Sequence, residues 1–156
     1  MNGASFDKIK DEFDERVRRI VWCTVVTVDR QGRPRSRVLH PVWEGTTGWI
    51  ATGRQSFKAK HLAQNPYISL SYWDVQHGLA YVDCRAEWED SADERRRVWE
   101  MYKGTPPPYG YDPAMFWPGP DDASFGLLKL TPWRIELHSL AEMGKGIPSR
   151  VWRSGQ

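Results

Sequence analysis

Cysteine is scarce: the 156 residues include only Cys23 and Cys84, and no C-x-x-C pair occurs. Both fall in apolar strand-like segments, so buried, inert thiols are expected. No apolar run approaches the roughly 18 residues that a membrane span needs. The opening stretch, MNGASFDKIKDEF, lacks the apolar core of a signal peptide, so a cytoplasmic protein is expected. Charge of one sign is also missing. Against 20 Asp and Glu stand 22 Lys and Arg, a formal net charge of +2, which argues against a general nucleic-acid binder. The chain has no G-x-G-x-x-G, no P-loop and no G-x-S-x-G elbow, so nicotinamide-Rossmann, NTPase and α/β-hydrolase readings lack their signatures. Its four histidines, His40, His61, His77 and His138, show no zinc-like spacing, and no metal is expected.

What is present is globular. Hydrophobic residues make up 40% and charged residues 27%, and the length suits a single domain over 1–156 that needs no staple. Aromatics are abundant, with nine Trp, six Tyr and five Phe. Such ring surface serves equally as core, as a dimer interface or as a pocket for a flat ligand.

Phe6, Ile9, Phe13, Val17 and Ile20 form one apolar stripe at helical spacing, with Ser5 as N-cap. VWCTVVTV reads as a strand, Asp29 to Gly32 as a turn, and RPRSRVLHPVW as a second strand paired to the first. After GWIAT, Ser56 caps a short helix, FKAKHLAQ, which Asn65-Pro66 ends. YISLSYW and LAYVDCRAEWE are further strands, and Ser91 with Glu94 forms a capping box for a helix reaching Lys103-Gly104. The proline-rich TPPPYGYDPAMFWPGPDD is a loop with at most one short helix near Pro113–Trp117. FGLLKLTPWRIELHSL is a long strand bent at Pro132, and the tail from Met143 is expected to be mobile. Turn-linked strands with few helices predict a mainly β domain, an antiparallel barrel with a core of about residues 20–140.

Two basic clusters stand out. Arg33, Arg35 and Arg37 share one strand face, which suits either a solvated edge or an anion site. Arg54, Lys58 and Lys60 bracket the short helix, whose start with Ser56 suits a phosphate. Asp83, Glu87 and Glu89 also share a strand face; a solvated surface is expected there rather than an acid–base pair.

GRPRSRVLHPVW, GWIATGRQSFKAKHLAQNPYISLSYW and KLTPWRIELHSL together resemble the pyridoxamine 5′-phosphate oxidase superfamily of flavin- and deazaflavin-binding split β-barrels, over roughly residues 15–140. The resemblance implies that Arg37 contacts the cofactor phosphate, together with Thr52, Ser56 and Lys58. Val38, Leu39, His40 and Pro41 would then line the cofactor ring through their backbone, with Ala51, Arg54 and Lys60 nearby. It also implies a homodimer with the cofactor at the subunit interface.

The departures are informative. Phe57 stands where the oxidase has a second Arg, Val42 where it has a substrate-binding Lys, and its C-terminal Trp and Arg segment has no counterpart. A true pyridoxamine-phosphate oxidase is therefore not expected. The reading is an oxidoreductase moving a hydride between coenzyme F-420 or FMN and a small organic substrate. Such a cofactor carries the chemistry itself, so no catalytic side chain is named. Coenzyme F-420 is preferred because Phe57 removes a phosphate-site cation, while Arg33, Arg35, Arg54 and Lys60 remain for a longer anionic tail. The alternatives are an FMN- or haem-binding or storage protein without turnover, and a small barrel stacking single-stranded nucleic acid, which the balanced charge disfavours.

Overall fold

The computed structural model describes residues 5–155. Ser5 caps a 3-10 turn over Phe6–Lys8, accepting from the Asp7 N–H. Helix α1 (Lys10–Ile20) follows and buries Phe13 and Val17. Arg16 is buried too. Its guanidinium donates to the carbonyls of Leu79 and His138 at 2.8 and 2.7 Å, tying the helix to the sheet by charge-assisted bonds.

The strands are β1 (Cys23–Val28), β2 (Pro34–Leu39), β3 (Val42–Glu44), β4 (Thr47–Gly53), β5 (Tyr67–Trp73), β6 (Gly78–Trp88), β7 (Phe125–Ser139) and β8 (Arg150–Arg153). Every pairing is antiparallel, in the order β2-β1-β5-β6-β7-β4-β3, with β8 beside β7. The fold is the expected mainly β split barrel.

The predicted second strand is in fact two. RPRSRVLHPVW breaks at His40-Pro41 into β2 and β3, because Pro41 has no N–H for a ladder. These two strands lie at opposite edges of the sheet, yet only two residues separate them. The sheet must therefore curl until its edges approach, without closing by hydrogen bonds between them.

Alternate residues of β1, β5, β6 and β7 point into the curl. Val25, Leu70, Tyr72, Val82, Leu130 and Ile135 form its buried centre. The β6–β7 register slips between Asp83 and Cys84, opposite Pro132, so the predicted bend is a β-bulge. Helix α2 (Phe57–Leu62) packs on β1, and helix α3 (Ala92–Gly104) opens at the Ser91 cap as expected. Val98, Trp99 and Tyr102 of α3 form a second core with Trp49, Phe125 and Leu127.

The C-terminal segment corrects the sequence reading. Instead of a loose tail, it forms helix α4 (Leu140–Gly144) and then β8, paired to β7 from Arg134 to Leu137. Arg150 bridges Glu12 of α1 and Glu142 of α4, and Trp152 packs edge-on against Phe6. No single one of these partners is visible from the local Gly-Pro-Arg composition. Among the described residues, no helix is long and apolar enough to cross a membrane.

Candidate functional site

The two basic clusters converge only in part. Arg37 leaves β2 half-buried and donates through Nη1 to the hydroxyl of Thr27 on β1, at 2.7 Å. Lys58, in the first turn of α2, is half-buried near it. Burial and the Arg37 charge hold the Lys58 ammonium below its ordinary pKa. Burial, and then Arg35, depress Arg37 in the same direction. Neither cation forms an ion pair among the described residues.

Ser56 completes this corner in an unexpected way. It sits at the N-cap position of α2, but its side chain caps nothing. The Oγ is buried without any partner, an arrangement that costs free energy unless something else fills it. Two close, half-buried cations and an unsatisfied hydroxyl together suit a small dianion such as a phosphate monoester.

The other basic residues go elsewhere. Arg33 pairs with Asp29 in its own turn at 2.9 Å. Arg54 pairs with Asp90 at 2.7 Å and stacks on Trp88, so it does not join the corner. Lys60 is exposed and packs over the Phe57 ring. Two residues along a helix from Lys58, it cannot share the same face. Of the four cations assigned to a longer anionic tail, only Arg35 and Lys60 stay outside ion pairs among the described residues. The case for coenzyme F-420 over FMN is weakened accordingly.

The chain runs from this corner straight into a cavity of about 470 Å³. Val38 and Leu39 follow Arg37, while Ala51, Thr52 and Gly53 lead towards Ser56; all five line it, with His40. Trp22 and the proline-rich loop supply the remaining wall through Tyr111, Met115, Phe116 and Trp117. No lining side chain carries a fixed charge, so the space suits the flat, weakly polar face of a ring system. Pro41 lies instead in a neighbouring cavity, between α1 and α3, which His40 also borders.

His40 joins the loop to the sheet. Its Nε2 lies 3.0 Å from the Tyr109 carbonyl, and burial lowers its pKa. The Tyr102 hydroxyl shares its single proton between the carbonyls of His40 and Trp49, at 2.9 and 3.1 Å. Sequence reasoning missed this loop wall and the residues behind Arg37, namely Thr27 and His61. Only the spacing of Lys58 and His61, three apart on one helix face, offered a signal.

The candidate carboxylates and both cysteines behave as expected. Asp83 is engaged by Ser69 and Arg134, Glu87 by Arg85, and Glu89 by the Ser91 N–H, so these carboxylates are a paired surface. Both cysteines are buried and free; burial pushes the Cys23 thiol up to about 12. Among the described residues, no cluster of three His, Cys, Asp or Glu is placed to hold a metal.

The half-open antiparallel barrel thus sets a basic corner beside an apolar cavity. The family model described as pyridoxamine 5′-phosphate oxidase matches residues 9–139, and the chain belongs to that family. It is 26% identical over 117 residues to general stress protein 26 of Bacillus subtilis, covering 72% of this chain and 76% of that one. Its fold is similar to a pyridoxamine 5′-phosphate oxidase-related, FMN-binding protein of Nostoc punctiforme, with TM-score 0.66, 17% identity and 98% of each chain covered. It is also similar to an F420 reductase, with TM-score 0.61, 17% identity, and 78% of this chain and 94% of that chain covered. At such identities the two structures speak for the fold alone.

Proposed function

We propose that this protein binds the phosphate of a flavin-type cofactor, FMN or coenzyme F-420, on Arg37, Lys58 and Ser56, and seats the ring in the adjoining apolar cavity. The observation that carries the reading is the pair of half-buried cations outside any described ion pair, together with the orphaned hydroxyl of Ser56, two residues before Lys58. Family membership and the FMN-binding and F420-reductase neighbours support the cofactor class.

The bound cofactor would supply hydride transfer to or from a small organic substrate. The chain's own residues bind, orient and exclude water. Arg37 and Lys58 neutralise the phosphate, Val38 to His40 and Ala51 to Gly53 flank the ring, and Tyr111 with Phe116 shields the cavity. Trp22, Val38, Met115 and Phe116 form an exposed apolar rim, which supports a homodimer in which a second copy covers the mouth.

Titration of the purified protein with FMN and with coenzyme F-420, read by tryptophan quenching, tests the reading. Lys58→Ala should weaken binding by about 1.5–3 kcal/mol, the scale of a charge-assisted hydrogen bond, with little change in melting. Unchanged affinity for both cofactors would remove the corner from the site. Tight binding without reduction of any added acceptor would make the protein a cofactor carrier instead of an enzyme.

A further inference from the structure

We propose that Thr27 and His61 are positioning residues for Arg37, forming a directed hydrogen-bond chain that aims its guanidinium while leaving its charge intact. The proposal rests on the phosphate reading above and says how that site is built. Arg37 extends from β2, Thr27 from β1 and His61 from α2, so the chain joins three elements. Arg37 Nη1 lies 2.7 Å from Thr27 Oγ1, and Thr27 Oγ1 lies 2.8 Å from His61 Nδ1. Thr27 is 1% exposed, so solvent offers its hydroxyl no substitute partner.

The direction of the chain follows from donor chemistry. A guanidinium only donates, so the Thr27 oxygen accepts from Arg37. The oxygen's second lone pair could also accept from His61, but the buried hydroxyl proton has no other described acceptor, so it goes to the Nδ1 of His61. That nitrogen must be unprotonated to accept it, which assigns His61 the neutral tautomer with its proton on Nε2.

The choice of a hydroxyl matters. An Asp or Glu behind Arg37 would hold the guanidinium equally well, but it would cancel the positive charge meant for the ligand. A threonine backed by a neutral histidine orients the group and leaves its charge, and its remaining donors, for an incoming anion. Lys58 lies three residues before His61, on the same face of α2. The Thr27–His61 bond therefore docks the helix face that carries the second cation, and so sets the spacing between the two charges. A phosphate then meets a preformed pair and does not have to order two long side chains on arrival.

The test uses Thr27→Val, which keeps the shape and removes the hydroxyl, and Thr27→Ser, which keeps the hydroxyl. Each is made alone and together with Arg37→Met. FMN affinity is read by tryptophan quenching, inorganic phosphate serves as competitor, and thermal melting controls for folding. Thr27→Val should weaken FMN binding about tenfold, and Thr27→Ser should restore it to within about threefold. In the Arg37→Met background, Thr27→Val should cost nothing further, because its effect runs through Arg37.

An undiminished FMN affinity in Thr27→Val, or an equal loss in the Arg37→Met background, overturns the proposal while leaving the phosphate site standing. Nitrogen chemical shifts of His61 give a readout independent of any ligand. They should show the Nε2–H tautomer in the wild type and lose it in Thr27→Val; an Nδ1–H tautomer in the wild type breaks the chain. A wild type that binds neither FMN nor phosphate overturns the phosphate reading itself, and with it the purpose assigned to the chain.

Discussion

The Arg54 guanidinium lies 4.4 Å from the centroid of the Trp88 ring and turns its donors to Asp90. Its charge is spent on that pairing, whereas Arg37 and Lys58 stay outside any described ion pair. Arg54→Ala should leave cofactor affinity within about twofold of the wild type. Its stability should fall by only about 1 kcal/mol, the combined scale of an exposed ion pair and a cation–π contact. Parallel cofactor titration and chemical denaturation check both halves.

The alternation in sequence predicts one strand face for Arg33 and Arg37, but Arg33 lies in the turn before β2, paired to Asp29, whereas Arg37 lies within the strand. A planar guanidinium can hold a phosphate through two parallel donors, which an ammonium cannot copy. Arg37→Lys should therefore weaken binding by about 1–2 kcal/mol, the order of one hydrogen bond to a charged group, whereas Arg33→Lys should be close to neutral. Added salt should compete with the cofactor in the wild type, because each phosphate contact is partly electrostatic. Equal titrations for both variants and no salt dependence would return the basic strand to ordinary surface.

His40 gives the molecule a dependence on pH. Burial lowers its folded-state pKa below the ordinary 6.5, so the unfolded chain takes up its proton first as pH falls. The stability it contributes is complete above about pH 6.5 and is lost as pH drops through the lower folded value. Denaturation midpoints measured from pH 7.5 downwards should show this decline. The same series on His40→Leu should start lower, having lost the Tyr109 contact, and lack that step.

Arg150 holds the C-terminal segment through Glu142, whose carboxyl it draws from an ordinary 4.5 to about 2. A depressed acid stabilises the fold above its unfolded pKa, so this contribution is present at neutral pH and lost between about 4.5 and 2. Arg150→Met should remove that portion of the acid transition and make residues after Ser139 more open to proteolysis. Limited digestion and an acid titration by circular dichroism are the measurements. Equal digestion of variant and wild type would mean that the β8 ladder alone secures the segment.

Much of this molecule was legible in its sequence. Period-2 apolar runs bounded by turn residues define most of the strands, because one buried sheet face demands that alternation. The Ser91 cap, or Pro132 in a long strand, acts within a few residues of itself, so cap and bulge were readable locally, although Glu89 and not Glu94 takes the Ser91 N–H. The match of Arg37, Ser56 and Lys58 to a family pattern drew attention to the corner where two half-buried cations stay outside any described ion pair. What the sequence could not rank was the fate of each charge. Arg33, Arg35, Arg37, Arg54, Lys58 and Lys60 look alike on paper; only the tertiary structure brings Asp90 to Arg54 across 36 residues and leaves Arg37 facing Lys58. The same holds for Thr27, His61 and the loop wall of the cavity, and for Arg150, whose partner Glu12 is 138 residues away. Local pattern follows from backbone sterics and burial of one face. Which cation stays uncompensated depends on distances between remote elements, and those exist only once the sheet has curled.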